Sequence, residues 1–433
     1  MRVAFISLGC PKNQTDLEYL IGDLVVDGFE VVTDIKKADA IVVNTCGFLK
    51  SAVSEAVENI LDVAYNKKKK AKLIVSGCMV ERYKDEIAKE LPEVDFWTGV
   101  GTLKEIAEYL KKGKLTRNLE EKSFYGENRI LVNHSYYAYL KIAEGCNNRC
   151  SYCTIPFIRG NLISRPRESI IKEAEDLVKN GVKELIIISQ DTTKYGIDKG
   201  RSELIELLND LVMVDGEFKI RLLYLNPDGV SNELVDFVAN QDKMIKYFEI
   251  PVQHIDDEIL KKMNRKSDSR KIKSVFEYIR SRIPEAIIRT TFIVGFPGED
   301  DVSFEKMVEF VEEYKPDFAG FFPYSREEGT KAYNFESSCK SREISKRISR
   351  IQKIQKINTL ERLKRLKKGT ITLYVEQPSE ENPFLLEGRA EFQAPEIDGK
   401  AYILGGVADK GYGPYKAKIK RVIYPDIYCE ILE

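Results

Sequence analysis

The sequence predicts an α/β protein of three units: an N-terminal parallel sheet, a central β/α barrel and a small antiparallel β-barrel at the C-terminus. Three observations predict it. Apolar runs alternate with amphipathic stretches near the N-terminus, apolar runs recur six times between residues 138 and 322 with helical stretches between most of them, and the chain from Thr370 onward breaks into short runs separated by Gly, Pro and Asn. The length, 433 residues, agrees with about three domains at roughly 100 to 200 residues each.

Arg2 to Leu8 reads as a first strand, followed by a turn and a helix over Thr15 to Val26. Ala40 to Val43 and Lys72 to Ser76 repeat the strand signal, with a helix over Ser51 to Tyr65 between them. Sites in such sheets lie beyond the carboxyl ends of the strands. Cys10, Cys46 and Cys78 each occupy such an end, so three residues distant in sequence are expected to converge. The charged stretch Lys111 to Glu127 has weak periodicity and reads as the linker out of this unit. The unit boundaries expected are 1–115, 132–368 and 370–433.

The second unit begins near Tyr136. Its strands are expected at Ala138 to Ile142, Leu185 to Ile188, Ile220 to Tyr224, Tyr247 to Ile250, Ile287 to Val294 and Phe318 to Phe322. Six such strands fit a partial or full barrel, whose chemistry is carried by the loops after the strands. From Lys340 to Lys368 there are 12 Lys and Arg against Glu343 and Glu361, and Ile344, Ile348, Ile351, Ile354, Leu363 and Leu366 recur at helical spacing. This is a long basic helix, read as a solvated face packed against the barrel, with RNA contact as the sharper alternative. The last segment carries 11 acidic residues against 7 basic ones, which disfavours a nonspecific RNA surface.

The whole chain balances 68 Lys and Arg against 69 Asp and Glu, so global electrostatics give no reason for indiscriminate nucleic-acid binding. MRVAFISLGC lacks a cleavage site and reads as a strand rather than a signal peptide. No run reaches a membrane span of about 18 apolar residues. Eight cysteines without an export signal suggest a reducing compartment, where thiols serve metals or catalysis. The expectation is a cytoplasmic protein with no membrane partner.

The strongest motif is Cys146-Asn147-Asn148-Arg149-Cys150-Ser151-Tyr152-Cys153, after the first barrel strand. Three thiolates spaced C-x3-C-x2-C can ligate three corners of a cubane and leave one iron open. The alternatives are a zinc site borrowing His134 or His254, or small buried hydrophobes. Cys10, Cys46 and Cys78 have no local partner, and three unrelated structural thiols is an equal reading of their pattern. Cys339 and Cys429 read as unligated. Other strand ends offer polar groups for a cofactor: Gln190 and Asp191, Gln253, and the turn from Gly295 to Glu299, which also reads as the entry to a helix near Asp301. Arg289 and Arg159 are candidates for pairing with a carboxylate.

The Cys146 motif resembles that of the radical S-adenosylmethionine enzymes. With SLGCPKN, NTCGF and SGCMVERY, the resemblance narrows to the methylthiotransferases and covers almost the whole chain, closer to their RimO branch than to MiaB. It implies two 4Fe-4S clusters, one on Cys146, Cys150 and Cys153 (with Tyr152 beside S-adenosylmethionine) and an auxiliary one on Cys10, Cys46 and Cys78. It also implies reductive cleavage of S-adenosylmethionine to a 5'-deoxyadenosyl radical, a low-potential electron donor, and a C-terminal TRAM domain. The implied substrate is the β-carbon of an aspartate in a small-subunit ribosomal protein, within or near the ribosome; MiaB implies transfer RNA instead. Gln253-His254-Ile255-Asp256 departs from the Gln-Ser-Gly-Ser turn of many relatives, so His254 reads as structural. A nonenzymatic iron-sulfur carrier would explain the cysteines but not a barrel with a polar mouth.

Overall fold

In a computed structural model, the chain is described over residues 1–113, 124–132, 136–336, 339–379, 382 and 384–432. Strands β1 (Arg2–Ser7), β2 (Glu30–Val31), β3 (Ala40–Thr45), β4 (Lys72–Gly77) and β5 (Phe96–Thr98) form one all-parallel sheet in the order β2-β1-β3-β4-β5. This is a doubly wound order in which the strand order reverses between β1 and β3, the point where ligands collect. Helices Pro11–Val26 and Lys50–Asn66 cover it. The first begins earlier than the periodicity indicates, because Pro11 stands at its first position, where a missing N–H costs nothing.

The central sheet is all parallel and runs in chain order: β6 (Tyr137–Lys141), then, past a short ribbon of β7 (Ala143–Glu144) and β8 (Ile163–Ser164), β9 (Glu184–Ile188), β10 (Lys219–Leu222), β11 (Met244–Gln253), β12 (Ile287–Val294) and β13 (Phe318–Pro323). All six expected strands are there, and β6 and β13 do not pair with each other, so the barrel is partial. The basic helix, Ser341–Leu366, lays Ile351 on the barrel core and Leu363 on the next unit. Its cationic face stays solvated at Lys346, Lys353 and Lys356.

Strands β14 (Ile371–Pro378), β15 (Leu386–Ala390), β16 (Ala401–Gly405), β17 (Tyr415–Ile423) and β18 (Asp426–Ile431) close a five-stranded barrel. One correction applies: β16 and β18 pair in parallel, so the closure is not purely antiparallel. This barrel seals the lower end of the partial barrel. Tyr374 stacks on Tyr136 with ring centres 4.2 Å apart, and Tyr247 donates to Asp398 at 2.6 Å. Fully buried Glu184 accepts from Arg221 at 2.6 Å and from Arg389, on β15, at 3.2 Å. Arg221 also donates to the Glu391 carbonyl at 2.6 Å.

The linker expected at 111–127 lies partly outside the described residues. Phe124 and Tyr125 are packed rather than free, with Phe124 in a cluster with Cys78, Val100 and Ile158. Two aromatic residues in a charged stretch leave no periodicity by which to see this. No helix among the described residues is long and apolar enough to cross a membrane.

Candidate functional site

The loops after β1, β3 and β4 are drawn together by one residue of the SLGCPKN motif. Asn13 is fully buried and donates to the carbonyls of Leu8, at 2.9 Å, and Thr45, at 3.0 Å. Its own carbonyl accepts from Asn44 at 2.8 Å. The Cys78 thiol lies 3.6 Å from the Asn13 side-chain oxygen. Gly9 is needed as glycine: its φ is +107°, and a Cβ there would lie 2.8 Å from that of Cys46.

The Cys146 loop follows β6 and β7 and is pinned from several sides. Asn148 donates to Asp191 at 2.6 Å, Asn264 donates to the Arg149 carbonyl at 2.8 Å, and the Ser151 amide donates to the Met263 carbonyl at 2.9 Å. The last two of these bonds stand in for regular secondary structure, satisfying backbone groups a free loop would leave to water.

Arg159 joins the two loop systems. It is 3% exposed and donates to Asn13 at 2.6 Å, to Asp16 at 3.2 Å and to Glu144 at 2.9 Å. Lys141 and Gln190 also donate to Glu144, at 3.1 and 2.6 Å. A second seam forms where Arg82 pairs with Glu327 at 2.9 Å and donates to the Gly47 carbonyl at 3.0 Å.

All six cysteines then line a single cavity of about 380 Å³. Tyr152, Arg159, Gln190, Asp191 and Gln253 line it as well. Arg159, thought of as a carboxylate partner, already spends its donors on protein groups. Three expected cofactor residues lie elsewhere. Arg289 pairs with Asp398 at 2.5 Å and donates to the Ile397 carbonyl at 3.1 Å, so it belongs to the C-terminal barrel contact. Glu299 accepts from Arg347 at 2.7 Å and from the Gly295 amide at 2.9 Å. Gly295 has φ +80°, and a Cβ there would meet Ile344 at 2.4 Å. That turn therefore clasps the basic helix. His254 is buried behind the cavity, its Nδ1 accepting from the Asp256 amide at 3.0 Å. His134 lies outside the described residues.

Sequence reasoning missed Lys12, Tyr224, Asn226, Glu249, Arg265 and Thr291, which also line the cavity. Glu249 was visible as an acid inside the apolar run YFEI; Arg265 gives no signal. Burial pushes the Cys78 thiol up to about 12 and the Cys146 thiol up to about 11, and raises Cys46 and Cys153 too. Ligation must therefore displace protons. Among the described residues no three Cys, His, Asp or Glu side chains close on a point that one metal ion could fill. A cubane asks for a wider arrangement, one thiolate per iron, with a fourth iron open. Two triplets of thiols fit that donor set, and the cations Arg159, buried, and Arg265, half-buried, suit an anionic group.

Comparison with known proteins finds separate family matches in the N-terminal and central parts of the chain. The profile of the radical SAM superfamily matches residues 140–311, and that of an uncharacterized family, UPF0004, matches residues 2–99. The chain is 43% identical to ribosomal protein uS12 methylthiotransferase RimO of Geotalea uraniireducens, over 95% of this chain and 94% of that one. It is 44% identical to the RimO of Acetivibrio thermocellus, over 93% and 92%, and 45% identical to that of a Thermoanaerobacter species, over 93% of each. Among solved structures, the radical S-adenosylmethionine methyltransferase TsrM of Kitasatospora setae superposes with a TM-score of 0.55 at 16% identity, over 74% of each chain. The cobalamin-dependent radical enzyme OxsB gives 0.53 at 12% identity, over 82% of this chain and 56% of its own. These two share the fold.

Proposed function

The chain belongs to the RimO family of radical S-adenosylmethionine methylthiotransferases, and from that premise we propose that it adds a methylthio group to the β-carbon of an aspartate in ribosomal protein uS12. The observation that carries the reading is the single cavity shared by two cysteine triplets that arrive from different sheets. A methylthio transfer needs a radical source and a sulfur source within reach of one carbon atom.

In this reading Cys146, Cys150 and Cys153 hold the cluster that binds S-adenosylmethionine, and Cys10, Cys46 and Cys78 hold the second. When bound, these groups supply the electron, the radical, the sulfur-delivery centre and the methyl group. A radical is required because the aspartate β C–H is not acidic enough for a general base. The chain's own residues orient and enclose. Tyr152, Gln190, Asp191 and Gln253 face S-adenosylmethionine. Asp191 is already fixed by Thr193 at 2.6 Å and Asn226 at 3.2 Å, so little side-chain order remains to be imposed on binding. Arg159 holds the two cysteine loops against each other. The three units at 1–115, 132–368 and 370–433 then correspond to sulfur delivery, radical generation and the TRAM barrel. The setting is the cytoplasm, with a low-potential electron donor. The transfer RNA alternative is set aside, since the curated relatives compared above all carry the uS12 name.

The test is anaerobic reconstitution, an iron count, then reduction in the presence of S-adenosylmethionine and uS12. About eight irons per chain, as two cubanes require, with a methylthio mass gain on aspartate is the expected result. Cofactor cleavage with uS12 left unmodified would refute the substrate; half the iron would refute the role of the N-terminal triplet.

A further inference from the structure

Lys12 lies in the first turn of helix Pro11–Val26, two residues beyond Cys10, and lines the cavity while only 7% exposed. Its Nζ sits 3.6 Å over the centre of the Tyr224 ring. Among the described residues no ion pair or hydrogen bond engages that ammonium. The anionic groups that act on it from farther away are Cys10 first, a sulfur ligand in the reading above, and then Glu144 and Glu249, whose oxygens already accept from other groups. Glu144 serves Arg159, Lys141 and Gln190, and Glu249 accepts from the Tyr224 amide at 2.5 Å. Two other cations of the cavity are occupied too: Arg159 as described, and half-buried Arg265 by the Pro251 carbonyl at 2.9 Å.

A buried charge without a partner is strongly unfavourable. The ring face attracts the cation but accepts none of its three N–H donors in the manner of an oxygen. A cluster on Cys10 would bring charge nearby but sulfur acceptors only, so the oxygen acceptor the ammonium lacks is left for a ligand to bring. Two carboxylates enter the cavity in the reaction proposed above. That of S-adenosylmethionine would be held on the side of Cys146, Cys150 and Cys153, whereas Lys12 stands in the loop of the opposite triplet. We propose that Lys12 is the recognition group for the substrate: its ammonium takes the side-chain carboxylate of the aspartate to be modified. The reacting β-carbon is bonded directly to that carboxylate, so fixing the one fixes the other. This inference rests on the uS12 reading.

A double-mutant cycle tests it on the reconstituted, unreduced enzyme with S-adenosylmethionine bound. The Kd for uS12, and for uS12 with its target aspartate changed to Asn, is measured by calorimetry against wild type, K12M and K12R. Truncating one partner of a buried charge pair should weaken binding about 30-fold or more. K12M and the Asn substrate should each show that loss, the two together should lose no more than either alone, and K12R should recover much of it. Iron content, cluster EPR and affinity for S-adenosylmethionine should not change in K12M. Binding of uS12 by K12M within about 3-fold of wild type, or losses that multiply, would overturn the proposal. So would a K12M defect confined to iron or to S-adenosylmethionine. If Lys12 alone is misassigned, wild type still binds and modifies uS12; if wild type binds no uS12 up to millimolar concentration, the substrate reading falls and takes Lys12 with it.

Discussion

Replacing Glu184 with Gln should loosen the C-terminal barrel from the rest of the molecule. The carboxylate is fully buried between Arg221 and Arg389, themselves 0% and 3% exposed. Gln keeps the shape and one acceptor but removes the anion, leaving two guanidinium groups in the interface. Removing one partner of a buried pair costs about 3 to 5 kcal/mol. The low end applies, because Arg389 retains Glu376 at 3.3 Å and the Gln393 carbonyl, and Arg221 retains the Glu391 carbonyl. A loss of about 3 kcal/mol is roughly a hundredfold in the docking equilibrium. Native-state hydrogen exchange reads this locally, whereas a melting temperature would mix three units. Amides of β14 to β18 should exchange faster in E184Q while those of β1 to β5 are unchanged. The pH dependence has a definite sign. Burial would raise the Glu184 carboxyl, but Arg221 and Arg389 outweigh it and hold it below its ordinary value of 4.5. Its stabilisation is thus complete above about pH 4.5 and fades below it, and that acid sensitivity should be missing in E184Q. Exchange in E184Q within about 0.5 kcal/mol of wild type, a change typical of an ordinary surface substitution, would refute the reasoning.

Changing any of Cys10, Cys46, Cys78, Cys146, Cys150 or Cys153 to Ala should remove about half of the iron, one cubane of two, and abolish methylthio transfer; an unchanged iron count would exclude that residue as a ligand. R289M should raise exchange in the C-terminal barrel and leave the Kd for S-adenosylmethionine within about 2-fold, since Arg289 meets Asp398 rather than the cavity; a large affinity loss would restore it to the cofactor. G295A should cost about 1 to 2 kcal/mol from the left-handed backbone alone, with more from the clash at Ile344; I344A should relieve the second part in chemical denaturation.

The fold and the Cys146 triplet were legible in the sequence because each left a periodic or spaced signal, whereas Cys10, Cys46 and Cys78 were marked only by their places at strand ends and by the family resemblance. Strand runs at 40–43, 73–75 and 185–188 are continuous apolar segments, as strands covered on both faces require. The cofactor pocket was legible only in part. Gln190, Asp191 and Gln253 stand at strand ends and line the cavity, but Arg289 stands inside a strand, where its inward face meets Asp398, a residue more than a hundred positions later. Likewise, nothing near Glu299 in sequence announces Arg347, and nothing around Arg265 marks a wall of the cavity. Such pairs are settled by which units dock together, and docking between distant segments leaves no local period. Lys12 and Asn13 sat inside a recognised motif, yet only the packing separates a ligand-facing cation from a structural pin.

Arg159 also has a bearing on the order in which the protein can be finished. Synthesis delivers the N-terminal sheet first, complete with Cys10, Cys46 and Cys78. The guanidinium that grips Asn13 and Asp16 arrives about eighty residues after Cys78 and is positioned by Glu144, which belongs to a different sheet. A nascent chain halted before residue 159 therefore carries three thiols without the brace that sets them. Iron capture by that triplet is expected to wait until the barrel has begun to form. Pulse-labelled iron on stalled nascent chains of increasing length would show the step, and early loading on chains ending before residue 159 would contradict it.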